Sequence, residues 1–262
     1  MTASPRDWDG SSYDRISGPM EQLGREVLDR LTLTGDETVL DAGCGSGRVT
    51  QALIDRLPRG RVIGVDASED MIRVARERLP ASTELHVQDL TRLDLGNGRR
   101  VDAILSTATF HWIADHDALF AALAHVLSDG GRLEAQCGGA GNVSGVHTAA
   151  QAVGAREPYR DAFAGWSGPW NFSTPDDAAR RLRAAGFTDV SAGLTPRPVH
   201  PEEPLEYLRT IVLGSHVARL PEDLRDPYIS DVAAALSEKG DRVTVDYVRL
   251  NLSAVRAPRQ AS

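Results

Sequence analysis

The residues that advertise chemistry begin in VLDAGCGSG, residues 39–47, where an acid, Asp41, stands just before three alternating glycines, Gly43, Gly45 and Gly47. Glycine permits positive φ and lets a ligand come close to the backbone. Turns of this kind often cradle phosphate, but the dinucleotide fingerprint needs glycine where this chain has Arg48, and the phosphate-loop Gly-Lys-Ser/Thr is missing. A carboxylate beside the turn asks instead for a ligand that is cationic or rich in hydrogen-bond donors. Two more acids follow at matching intervals: Asp66, 25 residues after Asp41, and Asp89, 23 residues after Asp66. Further on, Phe110-His111-Trp112 concentrates aromatic and titratable side chains in STATFHWIADHDALF, residues 106–120.

The elements around these residues place them. TVLDA (38–42), RVIGVD (61–66), ELHVQD (84–89), VDAILST (101–107) and RLEAQC (132–137) read as strands. Between them run helical patterns: Met20 to Leu31, Val49 to Leu57, a helix capped by Ser68 that carries Met71, Ala75 and Leu79, and a helix over 116–128. This rhythm predicts an α/β fold, a Rossmann-like doubly wound sheet with helices on both faces. Asp41, Asp66 and Asp89 then stand at three consecutive strand ends on one rim, where open α/β sheets bind ligands.

Beyond residue 137 the rhythm changes. Thr174-Pro175-Asp176-Asp177 opens a helix that Gly186 ends. FTDVSAGLTPRPV (187–199) reads as a sixth strand, 202–239 as helix broken at Pro221, and RVTVDYVRLNLSAV (242–255) as an antiparallel last strand. The expected organisation is an N-terminal arm and helix (1–30) and a nucleoside-binding core (31–137). A lid segment (138–174), core completion (175–200), a helical lid insertion (201–240) and a last strand with tail (241–262) follow.

The formal charge of −8 lacks the basic face that non-specific nucleic-acid binding requires. Cys44 and Cys137 are the only cysteines and no metal-ligand spacing is present, so neither a disulfide framework nor a metal is expected. No signal peptide and no membrane-length apolar run is legible. A cytoplasmic protein, monomer or homodimer, with a small-molecule partner and no nucleic-acid or membrane partner, is the expectation.

A ligand with an ammonium, a sulfonium and no phosphate matches the rim: S-adenosylmethionine. Asp41 meets its cation directly or through water, Asp66 its ribose hydroxyls and Asp89 its adenine amine. With VLDAGCGSG, VIGVDASEDMI, VQDL and DAILSTATFHWI the chain resembles the class I S-adenosylmethionine-dependent methyltransferases, over about residues 20–137. The resemblance implies that Asp41, Gly43, Cys44, Gly45, Gly47 and Thr107 line the methionine end. It implies that Asp66, Ala67 and Met71 hold the ribose and adenine, and that Asp89 and Leu90 finish the adenine pocket. The FHW segment and the N-terminal WDGSSYDRISGP look like those of trans-aconitate 2-methyltransferase and related carboxyl methyltransferases, with Tyr13 closing over the methionine carboxylate and Trp8 behind it.

Methyl transfer needs a base only if the acceptor carries a proton at neutral pH. With a carboxylate acceptor, His111 and Trp112 position it; with a phenol or alcohol, His111 is the base; a purely structural histidine is the third possibility. The acceptor pocket is expected from Phe110, His111, Trp112, Gln136, Trp166, Trp170, Tyr207 and His216, with Arg156, Arg160 and Arg209 available for a polyanion. The reading is O-methylation of a carboxylate on a medium-sized, largely apolar acid. The alternatives are methylation of a phenol, alcohol or amine, a non-catalytic S-adenosylmethionine-binding protein, and an NAD-dependent oxidoreductase.

Overall fold

A computed structural model describes residues 18–237 and 242–259. Helix α1 (Gly18–Arg30) precedes β1 (Thr38–Ala42), α2 (Arg48–Asp55), β2 (Arg61–Asp66), α3 (Glu69–Arg78), β3 (Glu84–Val87), β4 (Val101–Thr107), α4 (His116–Val126) and β5 (Leu127–Gly138). Then come α5 (Ser144–Gly154), α6 (Pro175–Ala184), β6 (Phe187–Pro196), α7 (Glu222–Ser237) and β7 (Val248–Arg256), with short helical turns between α5 and α6 and between β6 and α7.

The strands form one seven-stranded sheet in the order β3-β2-β1-β4-β5-β7-β6. β1 to β5 pair in parallel, while β7 runs antiparallel between β5 and β6. The expected doubly wound sheet with its antiparallel last strand is the one found. Strand order reverses between β1 and β4, and the crevice at their carboxyl ends is the ligand-binding position of this topology.

Period-2 alternation explains why both faces are covered. On β1, Val39 joins Val27, Leu28 and Leu53 of α1 and α2, while Leu40 joins Leu119, Phe120 and Leu123 of α4 on the other side. The expected caps are made: Ser68 Oγ accepts from Met71 N at 3.3 Å, and Thr174 Oγ1 accepts from Asp177 N at 3.2 Å. Gly186 takes φ 90° just past α6, as a left-handed helix terminator does.

Several boundaries differ from expectation: β5 already begins at Leu127 and not at 132, and β6 ends at Pro196 and not at 199. β3 stops at Val87 because Asp89 turns to cap the next 3-10 turn, accepting from Thr91 N at 2.9 Å. The last strand starts at Val248 instead of 242, because Asp246 leaves the ladder to hold the start of α5. Its Oδ2 accepts from Ser144 Oγ at 2.8 Å and Gly145 N at 2.9 Å, and only a Val199–Val245 bridge extends the pairing. The helix expected over 202–239 is broken into Pro204–Tyr207, a π-turn at Leu208–Val212, Gly214–Val217 and α7.

These pieces share a second apolar core with α5, built on Val146, Val153, Leu208, Leu213, Tyr228 and Val232. That core stands over the crevice side of β5 and β7. Among the described residues no helix is long and apolar enough to cross a membrane.

Candidate active site

The glycine turn after β1 adopts the conformation that requires glycine. Gly43, Gly45 and Gly47 take φ 83°, 53° and 83°. Gly43 N and Cys44 N donate to Val65 O at 2.8 and 3.0 Å, so the turn is tied to β2. A Cβ on Gly43 would lie 2.1 Å from Thr109 Oγ1, whereas one on Gly45 would meet nothing within 4 Å. Thr109 thus packs one side of the turn, donating from Oγ1 to Thr107 O at 2.9 Å, and Gly45 presents bare backbone on an open side.

Asp41 is 1% exposed. Its Oδ2 accepts from Thr50 Oγ1 at 2.7 Å, and its Oδ1 is buried with no hydrogen-bond partner among the described residues. Burial, assisted by the charge of Asp66 and opposed by the Thr50 bond, pushes its carboxyl up to about 7. A carboxylate is acceptor-only, so this environment asks for a cation or a donor at Oδ1.

Asp66 is half-buried, with Oδ2 accepting from Gly45 N and Oδ1 from Ser68 N, both at 2.9 Å. Burial raises its pKa even against those bonds. Each oxygen keeps a second acceptor direction. Asp89 is exposed, and one of its oxygens, Oδ1, is engaged as the cap of its own turn.

Ala67 lies exposed beside Asp66, while Met71 and Leu90 are buried at 3% and 4% exposure. Thr107 ends β4 with its side chain towards Gly24 of α1. Cys44 is buried against Gly64 of β2, and burial with the two neighbouring aspartates pushes its thiol well above the usual range. Tyr13 and Trp8 lie outside the described residues.

The second half of the site is a cavity of about 40 Å³ bordered by His111, Trp112, Trp170, Tyr247 and Arg249. It has room for a group of a few heavy atoms. Two non-glycine residues on its wall, Ala108 and Val143, hold positive φ of 55° and 48°. Such backbone is costly for a β-branched residue and clusters at functional sites.

His111 is 7% exposed, and its Nδ1 accepts from Gly138 N at 3.2 Å. A ring nitrogen that accepts carries no proton, so the neutral imidazole holds its hydrogen on Nε2. Burial first, then the charges of Arg249 and His116, hold its pKa well below 6.5. His111 is therefore a neutral donor. Its turn is pinned from three sides: His116 bridges Phe110 O and Ser173 Oγ at 2.9 and 3.0 Å, and Asn171 N donates to His111 O at 2.9 Å.

Arg249 on β7 is 2% exposed. Its Nε donates to Gln136 Oε1 at 3.4 Å, and its guanidinium lies 5.8 Å from the Tyr247 ring centroid. Sequence reasoning missed it, because an arginine in an alternating strand reads as solvent-facing.

Three expected acceptor residues lie off the wall of this cavity. Phe110 is 1% exposed and packs edge-on against Phe120 in the main core. Successive side chains of a 3-10 turn point about 120° apart, so with His111 and Trp112 on the cavity, Phe110 faces inward. Gln136 is not on that wall; its amide Nε2 donates to Asn251 Oδ1 at 2.9 Å and its Oε1 holds Arg249. Tyr207 is buried in the lid core with its hydroxyl 3.1 Å from that of Tyr247. Trp166 and His216 border a different, larger chamber.

The methyltransferase-domain family matches residues 39–131. A trans-aconitate 2-methyltransferase from Paracidovorax citrulli is 32% identical over 190 residues, which cover 72% of this chain and 68% of that protein. An uncharacterized methyltransferase of Schizosaccharomyces pombe is 31% identical over 198 residues, covering 70% of this chain and 72% of its own length. The chain belongs to the class I S-adenosylmethionine-dependent methyltransferases. Its fold is like that of the Haemonchus contortus phosphoethanolamine N-methyltransferase 2 solved with S-adenosylhomocysteine, with a TM-score of 0.63 at 18% identity over 95% of this chain and 57% of that one.

The rim of this methyltransferase fits S-adenosylmethionine. The partnerless Asp41 Oδ1 suits a cation, the bare flank of Gly45 suits close approach, and Asp66 retains acceptor directions for a ribose diol. Neither cysteine offers a competing nucleophile, since burial raises both thiols, Cys137 to about 12.

Proposed function

We infer that this methyltransferase esterifies the carboxylate of a small organic acid. The observation that carries the reading is the cavity at the mouth of β4: it joins the buried Arg249 cation to a His111 whose Nδ1 lone pair is taken up by Gly138 N, and among the described residues its wall carries no carboxylate to act as a base. A phenol, alcohol or ammonium would have to lose a proton there. A carboxylate arrives without one.

When bound, S-adenosylmethionine supplies an electrophilic methyl carbon. This chain's residues do the rest by placement. Arg249 and the Nε2–H of His111 hold the acceptor oxygens, with Gln136 fixing the guanidinium and Gly138 fixing the ring. Trp112 and Trp170, 6.3 Å apart between ring centroids, shield the cavity from water. Asp41 holds the cofactor's cation, Asp66 its ribose and Asp89 its adenine amine; Met71 and Leu90 pack its base.

The reading favours a monoacid. Arg249 is the one cation on the cavity wall among the described residues; Arg209 and Arg160 lie off that wall. The naming of several relatives as trans-aconitate 2-methyltransferases supports a carboxylate acceptor in general. Release of S-adenosylhomocysteine, measured across carboxylic acids, phenols and amines, tests it. Turnover confined to acids is expected. Turnover of phenols or amines with none of acids contradicts it.

A further inference from the structure

The site described so far leaves the body of the acceptor without a place. A cavity of about 40 Å³ takes a carboxylate and little more. Directly behind it, in the lid, is a chamber of about 300 Å³, the lower end of the size that ligand pockets have. The two have no lining residue in common, but one indole stands between them. Trp170 borders the small cavity, and its ring centroid lies 5.8 Å from His147 and 5.4 Å from His216, both of which border the chamber.

The chamber is built from aromatic rings. His216, 4% exposed, sits 4.6 Å from Trp166 and 5.9 Å from Phe163, with Tyr228 at 6.4 Å behind it. Its rim is polar, with Gln151, Arg160 and Ser167. On the chamber wall, His147 keeps an Nδ1 that is buried with no hydrogen-bond partner among the described residues. Nothing in the methyl-transfer site uses this atom.

Trp170 lies in an irregular segment after Gly165 and Gly168, which hold φ of 70° and 103°. A Cβ at Gly165 would meet nothing within 4 Å. The indole stacks on Phe172 at 5.6 Å and 16°, an arrangement a bound aromatic ring can extend.

We propose that the lid chamber is the tail subsite of the acceptor, which is an aryl-bearing monocarboxylic acid whose carboxylate sits at His111 and Arg249 and whose ring passes Trp170 into the chamber. A hydroxyl on that ring donates to His147 Nδ1. The inference rests on the carboxylate reading for the position of the acid end alone.

The test compares short alkanoic acids with ω-(4-hydroxyphenyl)alkanoic acids of graded length, by S-adenosylhomocysteine release and by calorimetric binding. Two variants, Ala155→Phe and Ala164→Trp, fill the chamber from exposed positions on its wall and so spare the fold. The expected result is a kcat/KM at least tenfold higher for the aryl acids than for short acids in the native protein. Either variant should remove that advantage and leave the short acids unchanged. Equal kcat/KM and equal binding for short and aryl acids in all three proteins overturn the proposal, while turnover of the short acids leaves the carboxylate reading standing. If no acid is turned over, yet the aryl acid binds the native protein and not the variants, the chamber stands and the carboxylate reading fails.

Discussion

Replacing Asp41 by asparagine should stabilise the protein and cripple its cofactor binding. The magnitude follows from the burial of the carboxyl. Its pKa is raised from 3.8 to about 7, mainly by desolvation. A folded-state pKa above the unfolded value means that the native state binds more protons between the two. Stability is therefore lost as pH rises from about 4 to about 7, at roughly 1.36 kcal/mol per pH unit. The accumulated cost at pH 8 is on the order of 4 kcal/mol, and at pH 5 it is about 1.6. Asparagine removes that cost but places an amide N–H where Oδ1 lacks a partner, at about 1–3 kcal/mol. The variant should then be about 2 kcal/mol more stable than the native protein at pH 8, roughly 4–8 °C in Tm, with no advantage near pH 5. Differential scanning calorimetry without cofactor at the two pH values measures this. Titration with S-adenosylmethionine should show at least tenfold weaker binding to the variant. The same titration with S-adenosylhomocysteine tells which cation Asp41 serves: an equal loss assigns the ammonium, a smaller loss the sulfonium. A variant that gains no stability between pH 5 and pH 8, or that binds S-adenosylmethionine as tightly as the native chain, refutes the reasoning.

Other predictions concern the rest of the site. Asp66→Ala removes an acceptor that also orders Gly45 N and Ser68 N, and should weaken cofactor binding by ~1.5–3 kcal/mol; unchanged affinity by calorimetry removes Asp66 from the ribose site. Arg249→Met should raise KM for the acid ten- to a hundredfold while leaving S-adenosylmethionine affinity intact, because the guanidinium borders the acceptor cavity and not the glycine turn; an equal loss of both affinities would mark Arg249 as purely structural. At saturating cofactor, kcat should stay flat from pH 6 to 9, since His111 is held neutral well below that window; a limb near pH 6.5 in kcat contradicts its role as a donor. His111→Ala should lower turnover and leave cofactor affinity nearly intact.

What could be read from the chain without its fold was local. The glycine turn, the Ser68 and Thr174 caps and the strand-end aspartates announce themselves because the residues that define them lie within a few positions of each other. Arg249 does not. Its burial follows from β7 being inserted between β5 and β6 under the lid, a pairing some 115 residues apart that alternation cannot express. Phe110 is similar: whether a residue beside His111 faces the cavity depends on a 3-10 turn, which has no periodic signature over three residues. Asp246 read as one polar step in an alternating strand, yet its carboxylate holds the start of α5 and ends the pairing there. Thr109 carried no signal at all, since its contact with Gly43 crosses from β4 to the turn after β1.

Whether the methyl group ends on a carboxylate oxygen can be measured without knowing the natural acid. The protein is incubated with S-adenosylmethionine labelled in its methyl group and with an aryl carboxylic acid, and the product is treated with mild alkali. The account predicts that the label is released as methanol, as from an ester. Label that survives the alkali on an ether or an amine contradicts it.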